Sequence, residues 1–410
     1  MIHIKALQYP INANIELPGS KSISNRLLML RAILKLDVRF RNLSDAEDTI
    51  TLAKALGKIQ STKSATIDIE HAGTDMRFLT TYLSVTEGEW ILTGSERMKQ
   101  RPIFELVDGL RKLGAEISYL ELEGFPPLKI KGKKLSGGKI EIDGGISSQF
   151  ISALLLIAPT FENGIELKLT GEIVSWPYIQ MTIELLKQFG ASINVEKNII
   201  TFKNSEFDAP NSTFPIESDW SCASYYYSVM ALAKDSEIIL TQFSKESLQA
   251  DSVLPQIYDA LGVKTEFIRS GIKLAKQEKK ITEFNYDFTN CPDIAQTLAV
   301  TCLGLGIKAN LTGLKTLKIK ETDRIIALKN ELEKFGAEVF ITNDSIKIIP
   351  KPSLPISKIH IQTYNDHRMA MSFAPLVLKC GELKIENPDV VNKSYPAFWE
   401  DLLFVGVEIL

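Results

Sequence analysis

Along the chain, an apolar stretch with helical spacing repeatedly runs into one glycine and then into a short alternating stretch. The pattern occurs six times: LAKALGKI around Gly57, LRKLGAEI around Gly114, LLKQFGASI around Gly190, YDALGVKT around Gly262, LEKFGAEV around Gly336 and LLFVGVEI around Gly406. Glycine suits a helix C-terminus because, with no Cβ, it enters the left-handed region without steric penalty. The residues that follow alternate in polarity, as in Ala115-Glu116-Ile117 and Ala337-Glu338-Val339, which fits a half-buried strand. Residues 166–170 and 237–241 read as further short strands. Successive glycines are 57, 76, 72, 74 and 70 residues apart, too long for a solenoid repeat and suited to units of two helices and several strands. The prediction is an α/β fold of α+β repeats: six helix–strand units, three in each of two lobes, with a cleft between them.

Polar residues gather where the apolar runs begin. LPGSKSISNR, residues 17–26, puts Lys21, Arg26 and three serines just ahead of Leu27-Leu28-Met29-Leu30. A helix N-terminus offers free N–H groups and partial positive charge, so Lys21, Ser22 and Arg26 there can hold an anion; a merely capped helix is the plainer reading. The stretch is not a P-loop, which needs glycine where Ser20 stands. Gly73 in HAGTDMR would let backbone approach a ligand. RMKQRP places Arg97, Lys99 and Arg101 before a helix expected to start at Pro102. Ser147, Ser148 and Gln149 follow a glycine turn at the head of an expected helix over 150–157, and Ser175-Trp-Pro reads as another helix start. Asp293 precedes the apolar run from Ile294, as a cap or a functional carboxylate. Lys320 and Arg324 are four apart and, on one helix, would share a face and repel unless an anion lies between them. Arg368 in NDHRMAM and Lys393 in KSYP stand before the next helices. Convergence of these helix starts would make a strongly positive pocket for a small, multiply anionic substrate.

Bulk properties narrow the choice. With 47 Lys and Arg against 50 Asp and Glu, there is no basic bias of the kind nucleic acid demands, so anion binding must come from a local cluster. The longest apolar run is too short to span a bilayer, and the first residues lack a signal-peptide core, so a cytoplasmic protein is expected. Four scattered cysteines read as reduced core thiols, and the histidines lack metal-ligand spacing.

LPGSKSISNR, AGTDMR, RMKQRP, SSQF, SWPYI, KETDR, NDHRMAM and KSYP, in this order from Pro18 to Pro396, resemble the 5-enolpyruvylshikimate-3-phosphate synthase family of enolpyruvyl transferases. The resemblance implies two lobes, 1–18 with 218–410 and 19–217, and an active site in the interlobe cleft. It implies transfer of the enolpyruvyl group of phosphoenolpyruvate to the 5-hydroxyl of shikimate 3-phosphate, with release of phosphate. Carried over by motif, Lys21, Ser22, Arg26, Ser147, Ser148, Gln149, Ser175, Asp293 and Lys320 would hold shikimate 3-phosphate. Lys21, Gly73, Arg101, Gln149, Arg324, Arg368 and Lys393 would hold phosphoenolpyruvate, in a pocket that the herbicide glyphosate also enters. Asp293 is similar to the base on the 5-hydroxyl and Glu321 to the proton donor, with Lys21 as the third catalytic residue. Protonation of the methylene makes a cationic carbon that the hydroxyl attacks, so one carboxyl must carry a proton while the other stays ionised. Phosphoenolpyruvate is already activated, so no metal or organic cofactor is implied, and the partners are the two small substrates of a monomer.

Four positions depart from the family pattern: His71, Asp75, Trp176 and Thr316. Asp75 adds a carboxylate close to Gly73, and it is expected to point away from the ligand. The alternatives are the sister transferase acting on UDP-N-acetylglucosamine, which typically carries a cysteine in the loop matching residues 94–101, and a non-catalytic anion-binding relative. Residues 94–101 here contain no cysteine.

Overall fold

One arrangement of strands recurs five times. Ser64–Asp68 runs parallel to Gly88–Thr93, which is followed across the sheet by antiparallel Leu128–Gly132 and then Glu116–Tyr119. The other four-stranded sheets likewise join one parallel pair to two antiparallel neighbours. A parallel pair needs a crossover, and a helix supplies it. The computed structural model describes all residues except 8–9, 204–205, 208–211, 353 and 355–358. They divide into two compact units, Lys21–Ile216 and a split unit of Met1–Ser20 with Glu217–Leu410.

The Lys21–Ile216 unit contains helices α1 (Lys21–Leu34), α2 (Glu47–Ser61), α3 (Gly73–Val85), α4 (Glu96–Lys99), α5 (Phe104–Lys112), α6 (Ser148–Ile157) and α7 (Trp176–Gln188). Two of the four-stranded sheets lie here, with a shorter parallel pair formed by Arg39–Arg41 and Thr213–Pro215. α3 and α6 cross between the parallel strands of their sheets. α6 is apolar nearly all round and buried over nearly its whole length, as a helix at the centre of a unit must be.

The split unit contains α8 (Trp220–Leu232), α9 (Leu254–Ala260), α10 (Ala295–Leu305), α11 (Arg324–Glu333), α12 (His367–Phe373), α13 (Val377–Cys380) and α14 (Phe398–Leu403). α8 and α10 are the buried counterparts of α3 and α6. In one of its three sheets the strand Ile2–Ala6 lies between Glu382–Ile385 and Val407–Ile409, tying the two segments of the unit together. The four cysteines are buried free thiols. Among the described residues no helix is long and apolar enough to cross a membrane.

Five of the six glycine junctions end a helix and lead to a strand, with φ of 96° at Gly114, 97° at Gly190, 92° at Gly262, 80° at Gly336 and 77° at Gly406. Gly57 is different: it lies inside α2. Leu52, Ala55, Leu56 and Ile59 are all buried, so the apolar stripe runs through the glycine and carries the helix on to Ser61. The helix expected at Pro102 begins at Phe104, because the short α4 and the turn through Arg101 and Pro102 take up the preceding residues.

Candidate active site

In open α/β sheets, binding residues lie where crossover helices leave the carboxyl ends of parallel strands. The residues singled out by their motifs lie at such helix starts or in the turns leading to the second helix of each sheet, and each unit brings its own set together.

In the Lys21–Ile216 unit the opening turns of α1, α2, α3, α6 and α7 are tied by side chains. Lys21, the first residue of α1, pairs with Asp48 in the first turn of α2 at 2.9 Å. Arg26 is 3% exposed and knits three helices: Nε donates to Thr182 Oγ1 at 2.7 Å, Nη1 to the Ser22 carbonyl at 2.9 Å, and Nη2 to Ser152 Oγ and the Tyr178 carbonyl at 3.2 Å each. Burial pulls its guanidinium down to about 10, which leaves it a cation at neutral pH. Much of its donor capacity is thus spent on the framework. Ser147 caps α6, accepting from the Gln149 amide, and Gln149 Nε2 donates to Thr74 Oγ1 at 3.1 Å, which joins the starts of α6 and α3. Ser148 is buried beside them. Ser175 holds a left-handed conformation, φ 55°, immediately before α7.

Gly73 is the first residue of α3, and its missing side chain makes room for the buried Arg101: a Cβ there would lie 2.9 Å from Arg101 Cζ. Of the three cations in RMKQRP only Arg101 turns inward; Lys99 meets Glu96 at 3.1 Å and Glu121 at 3.4 Å, and Arg97 is exposed. Asp75 is fully buried and accepts from Asn25 Nδ2 at 3.1 Å, so it braces α3 against α1.

The split unit gathers four cations around two carboxylates. With the N-cap of α10 at Ile294, Asp293 lies one residue ahead of the cap position. Its Oδ2 lies 3.0 Å from Arg368 Nη2, and its Oδ1 lies 3.6 Å from Arg324 Nη1 and 3.7 Å from Lys320 Nζ. Glu321 Oε2 accepts from Arg324 Nη2 at 2.9 Å, and Oε1 lies 3.7 Å from Lys393 Nζ. Lys320 and Arg324 do not share a helix, contrary to the expectation from their spacing: α11 begins at Arg324, capped by Asp323, and Lys320 precedes it in extended backbone. What lies between the two cations is Asp293.

Arg324 is 1% exposed and is aimed by a residue whose role the motifs did not disclose, Asp366, which caps α12. Arg324 Nε donates to Asp366 Oδ2 at 2.7 Å and Nη2 to Oδ1 at 3.2 Å. Burial disfavours the Arg324 cation, but Asp366 and Glu321 outweigh it and hold the proton more tightly than usual. Asp48, Asp366 and Ser221, whose Oγ lies 3.5 Å from Arg368 Nη2, were likewise not apparent in the sequence. An acidic residue at a helix start was the available signal for the first two.

Known proteins resemble this chain over nearly its whole length. The sequence model of the EPSP synthase (3-phosphoshikimate 1-carboxyvinyltransferase) family matches residues 6–402. The chain is 47% identical over 406 residues to the 3-phosphoshikimate 1-carboxyvinyltransferase of Bacteroides fragilis, covering 97% of this chain and 96% of that protein. It is 38% identical over 418 residues to the enzyme of that name from Haemophilus influenzae, covering 95% and 96%. A solved EPSP synthase structure from Acinetobacter baumannii superposes with a TM-score of 0.77 at 22% identity, over 100% of both chains, and shows the shared fold. By the extent of these matches, the chain belongs to the EPSP synthase family.

Proposed function

We propose that the protein transfers the enolpyruvyl group of phosphoenolpyruvate to the 5-hydroxyl of shikimate 3-phosphate and releases phosphate, a step of aromatic amino acid biosynthesis. The observation that carries this is the pairing of Asp293 and Glu321 with Lys320, Arg324, Arg368 and Lys393. Two carboxylates set among four cations suit a reaction that needs one acid, one base and the capture of anions. Asp293 would accept the proton of the 5-hydroxyl while Glu321 delivers one to the methylene carbon. Lys320 would hold shikimate 3-phosphate; Arg324, Arg368 and Lys393 would hold the phosphate and carboxylate of phosphoenolpyruvate. Lys21, Ser22, Arg26, Ser147, Ser148, Gln149 and Ser175 would serve shikimate 3-phosphate, and Lys21, Gly73, Gln149 and Arg101 phosphoenolpyruvate.

The internal ion pairs stand in for substrate. Asp48 holds Lys21, and Asp293 and Glu321 hold the cations of the split unit. Incoming phosphate and carboxylate groups would draw Arg324 and Lys393 off Glu321, so that it takes up its proton only with substrate bound. Preorganised cations then stabilise charge as it moves, and need no rearrangement of solvent. On this reading the enzyme works as a cytoplasmic monomer without metal or organic cofactor.

Phosphate release on mixing phosphoenolpyruvate with shikimate 3-phosphate tests the proposal, with UDP-N-acetylglucosamine as the rival acceptor. Release with the first acceptor alone is expected. Release only with the second would reassign the enzyme, and binding without release would make it an anion-binding relative.

A further inference from the structure

Each sheet's second helix is preceded by a turn, and five such turns supply a residue discussed above: Asp48 at α2, Arg101 before α5, Ser175 before α7, the Lys320–Arg324 stretch at α11 and Lys393 before α14. The turn before α9 occupies the same place in the pattern and has no role so far. It carries Asp251, 3% exposed, in a single helical turn over Ala250–Val253. This turn is anchored to the head of α8: Gln249 Oε1 accepts from the Trp220 amide at 3.0 Å, and Gln249 Nε2 donates to the Ser218 carbonyl at 2.8 Å and to Glu217 Oε2 at 2.9 Å.

Asp251 Oδ2 accepts a hydrogen bond from Ser221 Oγ. Asp251 Oδ1 is buried with no hydrogen-bond partner among the described residues. An isolated carboxylate in such a place is costly, which asks for a reason for its presence. Ser221 provides one. With its single proton committed to Asp251, the hydroxyl can offer only lone pairs to Arg368, whose Nη2 lies 3.5 Å from Ser221 Oγ and 3.0 Å from Asp293 Oδ2. The guanidinium nitrogen therefore sits between a hydroxyl whose polarity is fixed and the carboxylate assigned as base.

We propose that Asp251, acting through the Ser221 hydroxyl, is a positioning residue that aims Arg368 at phosphoenolpyruvate and keeps the guanidinium in place when Asp293 turns to the acceptor hydroxyl. The proposal rests on the reaction assigned above. Ionised Asp251 requires Ser221 to donate to it; protonated Asp251 can itself donate to Ser221 and release the serine proton toward Arg368, where it repels. Burial and the neighbouring Asp293 raise the Asp251 carboxyl to about 7, against the pull of Arg368 and Ser221. The groups facing it are Asp219 at the head of α8, Arg368 on α12, and Cys291 and Asp293 in the turn before α10. Aiming of Arg368 should thus improve as pH rises through neutrality.

The test is steady-state kinetics of the full-length enzyme across pH 5.5–9 for wild type, Asp251→Asn, Ser221→Ala and the double variant. In each single variant KM for phosphoenolpyruvate should rise about tenfold, the worth of one charge-assisted hydrogen bond, while KM for shikimate 3-phosphate stays near wild type. The double variant should be no worse than either single one, because both break the same relay. The wild-type rise of kcat/KM for phosphoenolpyruvate through neutral pH should flatten in Asp251→Asn. An active wild type beside variants that keep its phosphoenolpyruvate KM and pH profile would overturn this inference alone; an inactive wild type would instead overturn the assigned reaction. If Asp251→Asn fails to fold, Ser221→Ala carries the same KM and pH expectations and decides the matter.

Discussion

Replacing Gly73 by alanine puts a methyl where the Arg101 guanidinium now lies. The new Cβ would stand 2.9 Å from both Arg101 Cζ and Nη2. Arg101 Nη1 would lie closer still, and ordinary contact is about 3.5–4.0 Å, so the guanidinium must retreat by roughly 1–1.5 Å. If Arg101 holds phosphoenolpyruvate as proposed, a displacement of that size unsettles a charge-assisted hydrogen bond worth about 1.5–3 kcal/mol, or roughly 10- to 150-fold in kcat/KM for phosphoenolpyruvate. The backbone gives no reason for instability, because Gly73 is helical and its φ is not in the left-handed region. Alanine there should leave stability unchanged or raise it by about 0.4–1 kcal/mol, since it restricts the unfolded chain. The expected signature is therefore opposed: a melting temperature at or above wild type, a large loss of phosphoenolpyruvate affinity, and little change for shikimate 3-phosphate. The assay is phosphate release under varied phosphoenolpyruvate, beside thermal melts and a titration with glyphosate, which should weaken in parallel. Wild-type KM for phosphoenolpyruvate in a folded Gly73→Ala enzyme would show that Arg101 does not serve the reacting ligand.

Three other perturbations separate chemistry from scaffolding. Lys21→Met should cut turnover at least ~100-fold and also destabilise the fold, because Asp48, with 6% of its side chain exposed, loses its cation; adding Asp48→Asn should restore the melting temperature but not the activity, and recovery of both would remove Lys21 from the site. Asp366→Asn should lower unfolding free energy by about 3–5 kcal/mol, measured by urea denaturation, since both oxygens of that carboxylate hold buried Arg324; an unshifted midpoint would mean that the pair adds nothing. Asp251, with its carboxyl raised by burial, keeps its proton longer folded than unfolded, so its share of stability is full in acid and is lost as pH climbs through neutrality. Asp251→Asn should therefore gain on wild type in denaturation midpoint between pH 5 and pH 8, and a constant gap between the two would contradict the raised affinity of that carboxyl for its proton.

Local features were readable in the chain to different depths. Glycine marked five helix ends because its conformational freedom is a local property, and it misled at Gly57 because a buried stripe, which depends on packing, carried α2 onward. Helix starts rich in Lys, Arg and Ser were visible, but their partners were not. Lys21 meets a carboxylate 27 residues away, Arg324 one 42 away, and Arg26 a hydroxyl 156 away, and no spacing rule spans such intervals. The spacing of Lys320 and Arg324 suggested a shared helix face, whereas a cap at Asp323 starts the helix between them. Asp75 shows the limit of judging a residue by its neighbours in sequence: beside Gly73 in the chain, it serves Asn25.

The strand Ile2–Ala6 has a consequence for how the protein is made. Its neighbours, Glu382–Ile385 and Val407–Ile409, leave the ribosome long after it does. At about 5–20 residues per second, that strand waits roughly 20–80 s with both edges bare. Meanwhile residues 21–216 emerge as one uninterrupted stretch that can mature first. Nascent chains should accordingly be vulnerable at this strand, a natural place for a chaperone to hold on, until its two partner strands arrive and close the sheet around it.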